Sequence, residues 1–269
     1  MFHHRLRNHL YYGTNCDKKM RKFGLIGYPL GHSWSKDYWT EFFQQEQLKD
    51  HDYLHFELPT IDYLPEILRE NKDLVGLNVT IPYKVSVLEY CDMLSPAAEA
   101  IGAVNTLWRT DEGLIGYNTD ASGFQKSIRP FLQPKHEHAL VFGTGGSALA
   151  IAYILKNIGI NVHFVSRMPL GQGKLAYKDI NAAVLNSCKL IVNCTPLGMA
   201  PNSDRFPDIP YHLITPEHLV VDLIYNPVKT LFLQKAEEQG ATILNGKDML
   251  HFQAQSSWNC WNGEEVFWK

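Results

Sequence analysis

The stretch from His138 to Val165 constrains the fold more than any other part of the chain. Ala139-Leu-Val-Phe142 holds no polar residue, Gly143-Thr-Gly-Gly-Ser-Ala148 follows at once, an apolar-rich segment runs to Asn157, and Asn161-Val-His-Phe-Val165 reads as a second strand. Strand, glycine turn, helix and strand in that order make a βαβ unit, whose two strands lie parallel in one sheet. In that setting Gly143-x-Gly145-x-x-Ala148 reads as a dinucleotide-binding turn. Glycines allow the tight turn and the close backbone approach, and the free N–H groups of the helix start meet the pyrophosphate. The plainer alternative is a glycine turn that binds nothing. The residues after the next strand bear on the cofactor. An NAD site wants an acidic side chain about 20 residues on, to hold the ribose 2′-hydroxyl, and this chain has Ser166-Arg167 there. An arginine suits a 2′-phosphate, so the residues favour NADP.

The same alternation occupies the rest of the chain, which makes the fold class α/β. Before the glycine turn, strands are expected at Phe23–Gly27, Asp52–Leu58 and Leu74–Val79, with helices at Ser33–Leu48 and Ile61–Asn71 and another after Pro82. Tyr38, Trp39, Phe42 and Phe43 fall on one stripe of the first helix. Ala103–Thr110 and Leu114–Tyr117 flank Asp111-Glu-Gly113 as a hairpin. After it come strands at Leu190–Val192 and Leu219–Leu223, a helix from Val228 to Gln239 and a last strand at Ala241–Leu244, then a tail helical in its first half. Residues 1–19 are basic, His-rich and aperiodic, and are expected to form a disordered extension.

Composition excludes several classes. Lys plus Arg number 25 against 28 Asp plus Glu, a formal charge of -3, which leaves no basic face for a nucleic-acid backbone. Five scattered cysteines without a C-x-x-C pair read as reduced thiols of a cytoplasmic protein, with no metal site. No apolar run approaches the ~20 residues of a membrane span, so no membrane partner is expected.

Four polar clusters interrupt otherwise apolar strand ends: His32-Ser33-Trp34-Ser35, Asn78-Val-Thr80-Ile-Pro82-Tyr-Lys84, Val104-Asn105-Thr106 and Gly116-Tyr-Asn118-Thr119-Asp120. Strand-end loops of an α/β sheet are where ligands bind. These clusters, with Gly143 to Ala148, Asn193-Cys-Thr-Pro-Leu-Gly-Met199 and Gly246-Lys-Asp-Met-Leu-His-Phe-Gln253, occur in an order and spacing that resembles the shikimate dehydrogenase family. The resemblance runs from about Lys22 onward.

It implies an N-terminal, mostly parallel α/β substrate domain (residues 20–122 with 243–269) and a Rossmann-type domain (123–242). The implied reaction is reversible NADP-dependent reduction of 3-dehydroshikimate to shikimate, in aromatic amino acid biosynthesis. Lys84 then acts as acid/base with Asp120 as its partner, which suits the chemistry, because hydride delivery to a ketone leaves charge on oxygen and requires a proton donor. Ser33, Ser35 and Tyr225 would bind the substrate carboxylate, and Thr80, Asn105 and Gln253 the ring hydroxyls. Gly143, Thr144, Gly145, Gly146, Ser147, Ser166, Arg167, Thr195, Leu223 and Gly246 would line the cofactor site. Asn78, Trp258 and Trp261 read as structural. Two departures stand out: the stretch after Arg167 lacks the family's second basic residue, with Lys174 as a substitute, and Ala121-Ser122 follows Asp120 where a glycine is common. The first keeps a quinate or NAD-using branch open as an alternative, beside a non-catalytic sensor of the same fold. A monomer or homodimer is expected.

Overall fold

The computed structural model describes residues 20–31, 34–169 and 174–264. The expectations for residues 1–19 and for Ser33 lie outside these. The chain builds two six-stranded sheets. The first holds β1 (Arg21–Gly27), β2 (His51–Glu57), β3 (Leu74–Val79), β4 (Met93–Leu94), β5 (Thr106–Thr110) and β6 (Gly113–Tyr117), in the spatial order β2-β1-β3-β5-β6-β4. Its β1–β2 and β1–β3 pairs are parallel, and β3, β5 and β6 pair antiparallel. The second sheet holds β7 (His138–Phe142), β8 (Asn161–Val165), β9 (Lys174–Leu175), β10 (Leu190–Asn193), β11 (Leu219–Asp222) and β12 (Thr242–Leu244). Its order is β12-β11-β10-β7-β8-β9, and every pair is parallel. That places the strand carrying the glycine turn in the middle of the sheet, at the reversal of strand order where α/β proteins bind ligands.

Among the described residues eight helices join the strands: α1 (Trp34–Gln45), α2 (Leu64–Glu70), α3 (Pro96–Ile101), α4 (Thr119–Ile128), α5 (Gly146–Asn157), α6 (Ala182–Ser187), α7 (Leu231–Glu237) and α8 (Lys247–Trp261). The expected helix after Pro82 is absent. A turn and a 3-10 segment, Ser86–Tyr90, stand in its place, because the Lys84 carbonyl accepts from Val104 N at 2.7 Å while Leu88 N turns back to Val85 O. With that carbonyl spent on the neighbouring strand connection, an i→i−4 ladder cannot propagate. The short α3 and α6, which the periodicity did not reveal, are nucleated by side-chain caps from Ser95 and Asn181. Helix α8 runs past the expected midpoint of the tail, since the Arg21 guanidinium takes the Trp261 carbonyl at 3.1 Å and Asn262 Oδ1 at 2.9 Å.

Helix α8 returns the chain to the first sheet. Trp261 is buried, donates from its indole to Leu107 O at 2.9 Å and lies over Gly76, where a Cβ would sit 2.1 Å from the indole nitrogen. Trp39, Phe43, Phe23 and Tyr53 complete that aromatic core, so both tryptophans of α8 pack as expected. Helix α4 crosses α8 closely, because Gly123 presents no Cβ to Met249 O. The glycine that α4 needs is therefore at 123, which accommodates Ala121-Ser122. A single apolar core joins Ile101 and Ala103, Phe124 of α4, Ile151 of α5, Val141 of β7 and Met249 of α8.

Candidate active site

The loop after β3 is fixed by backbone bonds: Thr80 N donates to Ile26 O at 2.9 Å and Tyr83 N to Thr80 O at 3.0 Å. The Tyr83 hydroxyl reaches Leu58 O, so Lys84 leaves this turn in a set direction. Asp120 sits in the first turn of α4, whose N-cap Asn118 accepts from Ala121 N and donates to Ala103 O at 2.9 Å. Lys84 Nζ and Asp120 Oδ2 meet at 2.6 Å, with side chains only 15% and 7% exposed. A pair this enclosed leaves an uncompensated charge if either partner is removed. Asp120 Oδ1 accepts from Asn105 Nδ2 at 2.9 Å.

Asn105 spends its other amide hydrogen on Thr119 Oγ1 at 3.0 Å and takes Thr119 N at 2.6 Å. It orients Asp120, a role the polyol-binding expectation did not include. Gln253 Oε1 lies 3.4 Å from Thr119 Oγ1, and the Gln253 amide donates to Leu250 O. Ser35 hydrogen-bonds the buried Tyr53 phenol. Tyr225, in the loop after β11, comes within 6.4 Å of the Trp34 ring at the start of α1. Trp34 and Tyr225, 191 positions apart in the chain, thus come together.

The second sheet contributes the glycine turn. Gly143 has φ +99°, a conformation that side chains disfavour. Gly145 caps α5 with no side chain, and a Cβ there would meet nothing within 4 Å. The first-turn N–H groups of α5 are therefore reachable by an anion. Gly146 is glycine for another reason: a Cβ would lie 2.7 Å from Lys84 Cβ. Its neighbour Ser147 accepts from Lys84 Nζ at 3.1 Å, so the turn expected to hold cofactor also touches the lysine.

At the end of β8, Ser166 Oγ is buried with no hydrogen-bond partner among the described residues. Arg167 beside it is exposed and acts on Tyr177, whose phenol burial pushes up to about 12 while the guanidinium draws it down. Lys174 lies on β9 opposite Phe164, two residues before Ser166. A reachable helix start, an open Gly145 and an orphaned buried hydroxyl beside an arginine fit a dinucleotide with a phosphorylated ribose.

Thr195 Oγ1 donates to Asn193 Oδ1 at 2.6 Å, and its methyl lies against Gly143. Asn193 Nδ2 donates to Asp222 Oδ1 at 3.0 Å, and Leu223 N to Asn193 O at 3.0 Å. Burial pushes the Asp222 carboxyl up to about 6 against the opposing bonds from Thr230, Ile224 N and Asn193. Gly246 packs its Cα against Leu223 O, where a Cβ would be 2.0 Å away. Burial also raises the Cys194 thiol well above its usual range, with Asp222 and Asp120 adding to the effect and Lys84 opposing it. Its thiol is within electrostatic reach of the Lys84–Asp120 pair, and no motif singled it out. Among the described residues no three His, Cys, Asp or Glu side chains group as metal ligands.

An all-parallel sheet with a glycine turn at its centre, abutting a lysine–carboxylate pair held by a second sheet, defines a Rossmann-type oxidoreductase. Residues 25–107 match the shikimate dehydrogenase substrate binding domain. The shikimate dehydrogenase (NADP(+)) of Dehalococcoides mccartyi is 38% identical over 267 residues, covering 91% of each chain. That of Desulforamulus reducens is 33% identical over 270 residues, again with 91% of each covered. A crystal structure of shikimate 5-dehydrogenase from Thermus thermophilus in complex with NADP(H) and shikimate superposes with a TM-score of 0.80 at 31% identity, covering 91% of this chain and 94% of that one. The chain belongs to the shikimate dehydrogenase family.

Proposed function

We propose that this protein catalyses the reversible NADPH-dependent reduction of 3-dehydroshikimate to shikimate, a step of aromatic amino acid biosynthesis. The observation that carries the reading is the enclosed Lys84–Asp120 pair in contact with Ser147 of the glycine turn. It joins a proton donor to a cofactor-binding element at one point. Residues 20–122 with 243–269 form the substrate domain in this reading, and 123–242 the cofactor domain.

Gly143 to Ser147 would hold the pyrophosphate at the α5 start, Ser166 and Arg167 the 2′-phosphate, and Thr195, Leu223 and Gly246 the nicotinamide end. When bound, NADPH supplies the hydride that reduces the ketone carbon. The substrate oxygen gains negative charge in that step and takes a proton from Lys84 Nζ, becoming the hydroxyl. Asp120 holds the ammonium in line and, in the oxidative direction, supports its return as the neutral amine accepts the hydroxyl proton. Asn105 fixes the far oxygen of Asp120, so that the carboxylate cannot swing away from Lys84. Thr80 and Gln253 accept and donate to the ring hydroxyls, and Ser33, Ser35 and Tyr225 offer hydroxyl donors to the substrate carboxylate without burying a countercharge.

These two small molecules are the partners the reading requires. The four described cysteines are free, and no described helix is long and apolar enough to cross a membrane. Initial rates of cofactor reduction on one purified sample, crossing shikimate and quinate with NADP and NAD, test the proposal. Shikimate with NADP should be preferred. Preference for quinate or NAD would assign the protein to the neighbouring branch, and cofactor binding without turnover would make it a sensor.

A further inference from the structure

Behind the acid/base pair lies a closed set of buried polar side chains that no proposed substrate or cofactor contact uses. The Tyr53 hydroxyl donates to Asn78 Oδ1 at 2.9 Å, which fixes the amide so that Asn78 Nδ2 points at Ser257 Oγ, 3.0 Å away. Ser257 in α8 is fully buried and gives its one proton to Gln253 O at 3.0 Å. Its oxygen is then left to accept from Asn78 and from one further donor, and the hydroxyls of Thr106 and Thr119 stand 2.9 and 3.1 Å from it. A threonine that donates toward Ser257 turns its lone pairs to the opposite side. For Thr119 that side faces Asn105 Nδ2, whose second hydrogen goes to Asp120 Oδ1.

We propose that Ser257 is a positioning residue for Asp120, acting through Thr119 and the Asn105 amide. The inference rests on the functional reading above and adds to it a residue on the C-terminal helix that contacts neither ligand. Ser257 Oγ stands 3.1 Å from the Thr119 hydroxyl, nearer than Asn105 Oδ1 at 3.2 Å or Gln253 Oε1 at 3.4 Å. Losing the acceptor at 257 frees the Thr119 hydroxyl to rotate, and the Asn105 amide loses the partner that keeps its N–H on Asp120. Lys84 pairs directly with Asp120, whose charge also reaches the Cys194 thiol.

The test compares wild type with Ser257→Ala, and with Ser256→Ala as control. Ser256 is equally buried on the same helix but bonds Ser122 at 2.8 Å, outside the series. For Ser257→Ala, kcat should fall roughly 3–10-fold, the worth of one buried hydrogen bond, with KM for NADP+ unchanged and the acid limb of kcat/KM moved toward neutral pH. Ser256→Ala should lower Tm while keeping kcat and the limb. Wild-type kcat and limb in Ser257→Ala, or the same limb shift in Ser256→Ala, would overturn the proposal. Should the alanine fail to fold, Ser257→Cys, which keeps the volume and weakens the acceptor, must show the same shift. Carbon NMR titration of Asp120 in the same variants needs no turnover: a midpoint moved in Ser257→Ala alone upholds the positioning role even if wild type proves inactive on shikimate, and unmoved midpoints overturn it.

Discussion

Replacing Lys84 with alanine takes away the proton donor and strands the Asp120 carboxylate in its enclosed position. Turnover should fall by at least ~100-fold, the usual worth of an acid/base group, while shikimate affinity by calorimetry stays within about tenfold, since Thr80 and Gln253 persist. Near-normal turnover in this variant would remove Lys84 from the chemistry. Arg167→Ala should raise KM for NADP about tenfold or more and leave KM for NAD nearly unchanged, as expected when one charge-assisted contact to a phosphate is lost; equal effects on both would show that the arginine serves neither. Both residues were legible because each lies within a short polar run at a strand end. Ser257 and Thr106 were not, for their meaning comes from a contact made 151 residues apart when α8 lies down on the first sheet. The sequence marks Asn105 only as a holder of ring hydroxyls; that both of its amide hydrogens are used inside the protein, one of them on Asp120, depends on three-dimensional neighbours.

At the level of elements, Gly123 decides how closely α4 and α8 can approach. A Cβ there would sit 2.6 Å from the Met249 carbonyl oxygen, so Gly123→Ala must part the two helices that carry Asp120 and Gln253. Overpacking of this kind costs about 1–3 kcal/mol, to be read as a lower midpoint in urea. Because the separation also moves Gln253 away from Thr119, KM for shikimate should rise more than KM for NADP; an unchanged midpoint would mean that the crossing has slack. The longer strands and the long helices α1 and α5 could be read from the chain, since their apolar periodicity is a local property, whereas the two-residue strands β4 and β9 carry too little pattern to show. The turn over 81–90 could not, as the Lys84 carbonyl is claimed by Val104, twenty residues downstream. That same diversion is what holds Lys84 in a fixed direction, so the place where local propensity failed is one of the places where the site is built.

Taken whole, the molecule buries several imidazoles in neutral form. Burial is the foremost cause lowering His136, His163 and His218, with His136 donating toward Glu217 and His218 Nε2 toward Leu185 O. A histidine whose folded pKa lies below its unfolded value stabilises the fold above about pH 6.5, and that stability drains away as the pH falls and the unfolded chain takes up protons. Asp222 has the opposite sign: with its carboxyl at about 6, folding binds its proton first, and it gains as the pH drops below that value. With His55 lowered by burial as well, four histidines stand against one carboxyl, so Tm should fall by roughly 5 °C between pH 7.5 and 5.5. A flat or rising Tm over that interval would show that the imidazoles already sit near water.

The contact of Lys84 with Gly146 and Ser147 bears on how freely the two halves of such an enzyme can be exchanged. A nucleotide-binding half grafted from another source has to bring a glycine at the position of Gly146, where any side chain would strike Lys84. It has also to bring a hydroxyl at the position of Ser147, or the lysine loses one of its two holds. The seam between the halves is a matched fitting rather than a neutral join, and in a chimera that ignores it each half folds correctly while the lysine between them stands out of line.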